Sequence, residues 1–590
     1  MKKLILIILL SGFVLSSQEI MKLDDVKVGM EGYGRTVFKG TKVEKFDFKI
    51  LGILKNFAPN KNLIIIEIKS EELKGMGILQ GMSGSPVYIN NKIVGSVSYG
   101  FSFSKKPIAG VTPIEDIINI KDYDQQYDIK IDISNIRVKT DKKNLNYIKN
   151  ILQEELFKRL GYASFDKIKP LKPFVFRSGF LKNSTSYMDQ LFNPVAADGV
   201  KKINNKNIVK IFDLKPADAV SIPLVCGDFE YSASGTVTYV KGKDVYIFGH
   251  PFFNLGSVSF PMNRAEIITV VPSYNNPFKL AATLNRVGII TQDRFSGVKG
   301  ELGKKPYMIP VSVYITNRDK IYDFEMVNHP LLTPSLAYIS LLNIFMSDFQ
   351  QYGFQTIYVK GKIFIKGYKN IILDDIYTGY TSGDDFSNLL LAINFFLLNN
   401  KEKPIKIQKI DLELTTYEDI KRTIIENVII NKTEVEPDEE IGLKLILRDE
   451  RGNYRYEPIS IPAPKLKPGS EFYLLFGGAK ELSSFEAKNI KSKYFPNKLN
   501  NLIRAINNLR KNSRLYVKMY TKKPGLFIKG FEYSNLPLSY QKIFVYRKSS
   551  PSMGSVRFST LREYQIPVDS VVVGEKTLKF KIKERENEEN

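Results

Sequence analysis

A chain of 590 residues with 43% apolar and 12% aromatic content is too long for one core and too apolar for wholesale disorder, so roughly three to five domains are expected. One cysteine, Cys226, excludes an intrachain disulfide framework and a thiolate-rich metal site, and two histidines, His250 and His329, leave little room for a zinc centre. The net charge of +24, from 86 basic and 62 acidic residues, is spread along the chain without a nucleic-acid-binding motif; it describes a solvated basic surface with at most weak attraction to an anionic envelope surface.

Residues 1–17 have the pattern of a secretory signal peptide: a basic Met1-Lys2-Lys3, an apolar run from Leu4 to Leu15 too short to span a bilayer, and small residues Ser16-Ser17. No cysteine follows the run, which argues against a lipoprotein anchor, and the mature chain is expected to be exported and soluble, in a periplasm or outside the cell. Residues 18–120 read as short strands, with Phe46–Leu54 and Leu63–Ile68 β-rich and Val87–Ile89 and Ile93–Tyr99 flanking an Asn90-Asn91 hairpin turn. Residues 121–222 change character, with a helix predicted over Asn144–Leu160 from the spacing of Leu145, Ile148, Ile151, Leu152 and Leu156. Over 223–325 the β pattern returns, with a hairpin in which Lys241–Asp244 turns between Thr236–Val240 and Val245–Phe248. Residues 326–404 read as mixed α/β, with helices at Leu331–Phe349 and Phe386–Leu398 around a hairpin at Tyr358–Lys366. A β-sandwich-like module is expected over 405–480, and a β-rich region ending in a charged, frayed tail over 481–590.

The run Gly81-Met82-Ser83-Gly84-Ser85-Pro86, just before the first hairpin, carries the strongest chemical signal. Glycines permit backbone angles that turn successive N–H groups inward, so Gly81 and Ser83 can form an oxyanion hole, and they leave the Ser83 hydroxyl exposed to a substrate carbonyl. Without catalysis the same residues would make an ordinary glycine-rich turn, and Ser85 reads as a turn residue in either case. A serine nucleophile needs a base that titrates near neutrality. His250 closes a predicted strand in Phe248-Gly249-His250-Pro251, a polar strand end suited to an accessible imidazole, whereas His329 lies in a loop-like stretch with no comparable surroundings.

These residues point to a family. The run from Gly81 to Gly110, GMSGSPVYINNKIVGSVSYGFSFSKKPIAG, continuing into VTPIED, resembles the serine half of the SpoIVB peptidase family, serine peptidases of the chymotrypsin-like clan. The run from Gly235 to His250, GTVTYVKGKDVYIFGH, resembles its histidine half, and Thr291-Gln292-Asp293-Arg294 is similar to a family segment after the histidine. The resemblance implies a mainly β fold: a chymotrypsin-like core of two half-barrels, 18–120 and 223–325, with a helical insertion between them and β-sandwich-like modules at the C-terminus. In the founding member the histidine half comes first; here Ser83 precedes His250 by 167 positions, which implies a permuted order. A catalytic pair is defined by geometry rather than chain order, so permutation is compatible with function.

The implied activity is that of an exported serine endopeptidase acting on a protein or peptide, itself included. Ser83 attacks, His250 moves the proton, and no cofactor or metal is called for. Ser98, Tyr99 and Gly100, on the strand after the nucleophile hairpin, would pair with the substrate backbone. The family places an orienting aspartate shortly before the serine block, where this chain reads Ile68-Lys69-Ser70-Glu71-Glu72-Leu73. Glu71 or Glu72 is one candidate for that role and Asp293 the other; a pair with no third member, or an inactive envelope scaffold that keeps the fold, are the alternatives. An imidazole base predicts activity falling as pH drops through roughly 6–7, or higher beside a carboxylate.

Overall fold

The computed structural model describes residues 19–101, 104–123, 131, 133, 142–161, 168–171, 174–192, 195–196, 213–273, 276–348, 354–491, 498–528, 531–533 and 553–583. Residues 1–17, where the sequence predicts a signal peptide, and the tail from 584 lie outside them. The fold is mainly β, with 52% strand, 20% helix and seven α-helices among the described residues.

Six strands build the N-terminal unit: β1 (Glu31–Lys39), β2 (Lys42–Ala58), β3 (Lys61–Lys69), β4 (Pro86–Ile89), β5 (Lys92–Phe101) and β6 (Ile108–Pro113). Their antiparallel ladders run β1–β2–β3–β6–β5–β4 and return from β4 to β1, so each of the six has a partner on both sides. The β4–β5 turn is set locally: Asn90 and Asn91 have φ of 49° and 64°, the left-handed pair a two-residue hairpin turn requires and that asparagine tolerates. Alternation puts Phe46, Phe48 and Ile50 of β2 and Ile64, Ile66 and Ile68 of β3 into one core with Val94 and Val97. Helix α1 (Ile114–Ile118) follows β6.

The segment 121–222 contains helix α2 (Lys142–Gly161), strands β7 (Ile168–Pro170) and β8 (Phe174–Ser178), helix α3 (Lys182–Phe192), strand β9 (Val195–Ala196) and the start of β10 (Ala219–Gly227). Leu145, Ile148, Leu152 and Leu156 of α2 are buried on the large core, the face their spacing predicts; Ile151 packs at its margin. β7 joins the first sheet as an extra strand on β5, and β8 and β9 join the second.

β10 is followed by β11 (Glu230–Lys241), β12 (Asp244–Ile247), β13 (Gly256–Val271), β14 (Phe278–Arg294) and β15 (Gly297–Leu302). Here too the ladders run round, β10–β11–β12–β15–β14–β13 and back to β10. Five more strands, Met308–Ile315, Lys320–Val327, Gln355–Ile365, Ile371–Gly379 and Ile407–Tyr417, extend this sheet from β10. Helices α4 (Leu332–Asp348) and α5 (Ser382–Leu398) bury their apolar residues in the same core. The predicted hairpin at Tyr358–Lys366 is instead one continuous strand, Gln355–Ile365, whose hairpin partner is Ile371–Gly379; β-branched residues run past Gly361 without a turn.

Beyond Tyr417 a four-stranded and a five-stranded sheet share one core that includes Leu443, Leu445, Phe472, Leu474, Val517 and Phe580. Their strands come from both 422–477 and 514–582, so the predicted sandwich module and the C-terminal β-rich region are one packing unit. Among the described residues no helix is long and apolar enough to cross a membrane.

Candidate active site

The serine turn is held on both sides by main-chain bonds. Within it the Met82 N–H donates to Leu79 O at 3.1 Å and the Ser85 N–H to Met82 O at 2.9 Å, while the Gly84 N–H reaches Val97 O of β5 at 2.8 Å. Its carbonyls dock on β11 of the other unit: Thr236 N–H donates to Ser83 O at 2.9 Å, and the Thr236 and Thr238 hydroxyls donate to Gly81 O at 3.0 Å and Gly84 O at 2.9 Å. Gly81 and Gly84 have φ of +93° and +91°, a region open to glycine and costly for other residues. Among the described residues the N–H groups of Gly81 and Ser83 have no partner, which leaves available the pair assigned to the oxyanion hole.

His250 arrives on a strained corner. β12 ends at Ile247, and Phe248 and Gly249 then take φ of +72° and +68°. A left-handed phenylalanine is uncommon and persists only where its surroundings fix it. The Phe248 ring stacks on the imidazole, centroids 5.6 Å apart and planes within 7°. A side chain at 249 would press on the Ser96 and Ser98 hydroxyls, its Cβ 2.3 and 2.2 Å from them, and the Gly249 carbonyl accepts a 2.7 Å bond from the Thr112 hydroxyl.

These two devices bring Ser83 Oγ to 2.5 Å from His250 Nε2 across 167 positions of chain. Nδ1 of the same ring is 2.8 Å from the Pro251 carbonyl. A carbonyl only accepts, so Nδ1 carries the proton and Nε2 presents its lone pair to the hydroxyl, the tautomer a general base needs. The Ser83 hydroxyl has a second acceptor in Phe248 O at 3.1 Å. Both side chains are fully buried, contrary to the exposed hydroxyl and accessible imidazole that the sequence predicts, because the serine turn and the histidine corner pack against each other.

The carboxylates proposed to orient the imidazole lie elsewhere. Asp293 is buried, but its oxygens accept from the N–H groups of Phe252 at 2.7 Å, Phe253 at 2.8 Å and Leu255 at 3.1 Å. It therefore pins the loop after His250 and orients the ring only through that loop, while the Pro251 carbonyl holds Nδ1. Glu71 is an exposed residue paired with Lys74 at 3.3 Å, and Glu72 accepts from the neighbouring Ser70 hydroxyl. His329 packs edge-on against Phe260 and takes the Leu331 N–H on Nδ1 at 3.3 Å, a structural setting at the start of α4.

Lys279 is a residue that sequence reasoning passed over. Almost fully buried, it lays its methylenes under Gly81, where an added Cβ would meet Lys279 Cβ at 3.3 Å, and donates to Thr36 Oγ1 at 2.5 Å. The Ser85 hydroxyl donates to the same Thr36 oxygen at 2.9 Å, so Lys279 and Ser85 brace the turn from beneath. Burial pulls the Lys279 ammonium down to about 7. Nothing in its surroundings in the chain, Pro277-Phe278-Lys279-Leu280, sets this lysine apart from the others. No group of three or more His, Cys, Asp or Glu is placed to hold a metal ion among the described residues.

Burial dominates the electrostatics of the pair. It lowers the His250 imidazole to about 4, against smaller raising effects from the Pro251 and Leu171 main chain. The ring is neutral above that value, the form a general base requires. Reactivity of Ser83 in the resting protein is therefore expected to persist as pH falls through 6–7 and to decline near about 4, opposite in direction to the shift a carboxylate partner would cause. Rates of covalent labelling between about pH 3.5 and 8 check this, and a midpoint at or above the ordinary imidazole value contradicts it.

Residues 13–118 match the family model described as SpoIVB peptidase S55. The matched segment includes the whole serine turn and its hairpin and ends before His250. This part of the chain is thus similar to a peptidase family, hydrolases that act on protein. No curated protein and no solved structure matches the chain.

Proposed function

We propose that the chain is an exported serine endopeptidase that cleaves a protein substrate, itself included, with Ser83 as nucleophile and His250 as base. The observation that carries this reading is the 2.5 Å approach of Ser83 Oγ to His250 Nε2, with Nδ1 committed to a carbonyl acceptor. His250 takes the hydroxyl proton as Oγ adds to the scissile carbonyl, then returns it to the leaving amine; water repeats the cycle on the acyl-enzyme. Gly81 and Ser83 N–H groups receive the oxyanion. The two six-strand circuits are read as the half-barrels of a chymotrypsin-like unit in permuted order, with the pair at their junction. Export rests on the pattern of residues 1–17.

Complete burial of Ser83 and His250 favours a second reading, an inactive envelope protein that keeps the fold. A fluorophosphonate probe separates the two. Wild type should gain one adduct mapped to Ser83, and Ser83→Ala none. A natively folded protein that gains no adduct at pH 7 even after prolonged exposure to excess probe, in wild type and in variants that open the site alike, would sink the peptidase reading.

A further inference from the structure

The edge of β5 assigned to substrate is occupied by the chain itself. Tyr99 pairs with Pro170, Gly100 with Lys169 and Phe101 with Ile168 in antiparallel register. The Leu171 N–H then donates to the Ser98 carbonyl at 2.9 Å. Ser98, Tyr99 and Gly100 are thereby committed to β7 and the residue after it. An extended peptide binds a peptidase by this kind of strand addition, main-chain bonds giving affinity and alternate side chains giving specificity.

Leu171 is the residue of this segment that reaches the catalytic pair: its main chain lies beside the His250 ring. Its side chain is buried in the core of the N-terminal unit. A Cβ built on Gly100 would come within 2.8 Å of Leu171 Cδ2, so the missing side chain at position 100 makes the room Leu171 fills. The segment is not seated for cleavage. An attacked carbonyl would take up the N–H groups of Gly81 and Ser83, and among the described residues these are unpartnered.

We propose that Ile168–Leu171 is an intramolecular competitor for the substrate edge, and that Leu171 fills the pocket for a large aliphatic residue on the N-terminal side of the bond cut. The inference rests on the peptidase reading. Tethering makes a weak strand effective: anchored through α2 before it and β8 after it, the segment competes at an effective concentration on the order of millimolar. An external substrate must displace it, and full burial of Ser83 and His250 is the resting state it imposes.

The test uses the full mature chain, a fluorophosphonate probe and two peptide aldehydes, one ending in leucinal and one in an aspartate-derived aldehyde. Leu171→Asp removes the apolar anchor and should be labelled at Ser83 at least about tenfold faster than wild type, whereas Leu171→Met should stay within about twofold. The leucine-terminated aldehyde should protect Leu171→Asp far better than the acidic one. Equal labelling of all three proteins, or protection that ignores the terminal residue, overturns this inference and leaves the peptidase reading standing; no labelling in any of them, each folded, overturns both. Wild type alone gives an independent answer should the aspartate variant fail to fold. On saturation with the leucine-terminated aldehyde, hydrogen exchange should rise at 168–171 while 99–101 stay protected, and unchanged exchange at 168–171 would refute displacement.

Discussion

Ser83→Ala is expected to remove covalent labelling and to cut peptide hydrolysis by ~10⁴-fold or more, His250→Ala to cut hydrolysis by a similar factor, and the double variant to be scarcely worse than either. The reason is that Oγ and Nε2, 2.5 Å apart, perform one act. A hydroxyl without a base at neutral pH is a poor nucleophile, and a base without the hydroxyl has only water to activate. Hydrolysis left in the double variant measures what the Gly81 and Ser83 N–H groups and substrate binding do alone. Multiplying losses, with the double variant worse by the product of the two, would mean that the residues act in separate steps and that the pair is not the catalytic unit. Burial adds a second expectation: His250→Ala opens a cavity under the Phe248 ring, so it should also lower the unfolding midpoint, whereas Ser83→Ala removes one hydroxyl oxygen and should not.

What the sequence made legible follows from how local each cause is. The Asn90-Asn91 turn, the period of α2 and the apolar helices α4 and α5 are set within a dozen residues, and each appears close to where its pattern places it. The close approach of Ser83 to His250 could be expected because a serine nucleophile would need an imidazole base, and two histidines leave little choice. The orienting partner was not legible, because the group on Nδ1 is the main-chain carbonyl of Pro251, which has no residue signature. Asp293 is an acid downstream of the histidine, but its hydrogen-bond donors, the N–H groups of Phe252, Phe253 and Leu255, cannot be inferred from a carboxylate's position in the chain. The C-terminal pairing has no local signature: Glu471–Gly477 lies between Glu575–Ile582 and Arg514–Thr521, partners set by long-range pairing and not by local pattern. Ile168–Leu171 belongs to a charged stretch without periodicity, and its strand character comes from β5.

Gly84→Ala is expected to cost about 3 kcal/mol or more of folding stability and to abolish Ser83 reactivity at temperatures where the variant is still folded. Two effects combine at this position. The backbone sits at φ +91°, unfavourable for any residue with a Cβ. That Cβ would also fall 2.0 Å from the Thr236 carbonyl oxygen and 2.7 Å from the Phe248 nitrogen, both main chain, so no rotamer change relieves the clash. Relief requires moving β11 or the Phe248–Gly249 corner, and these carry the threonine bonds to the serine turn and the histidine itself. Gly75 supplies the control within the same chain: its φ is +72°, but a Cβ there meets nothing within 4 Å. Gly75→Ala should therefore show the backbone term alone, about 1 kcal/mol, with Ser83 still reactive. Chemical denaturation and labelling rates on the two variants separate the terms. Equal losses at 75 and 84 would show that the close approach of the two units at Gly84 contributes nothing, and the seating of the serine turn against β11 would have to be rejected with it.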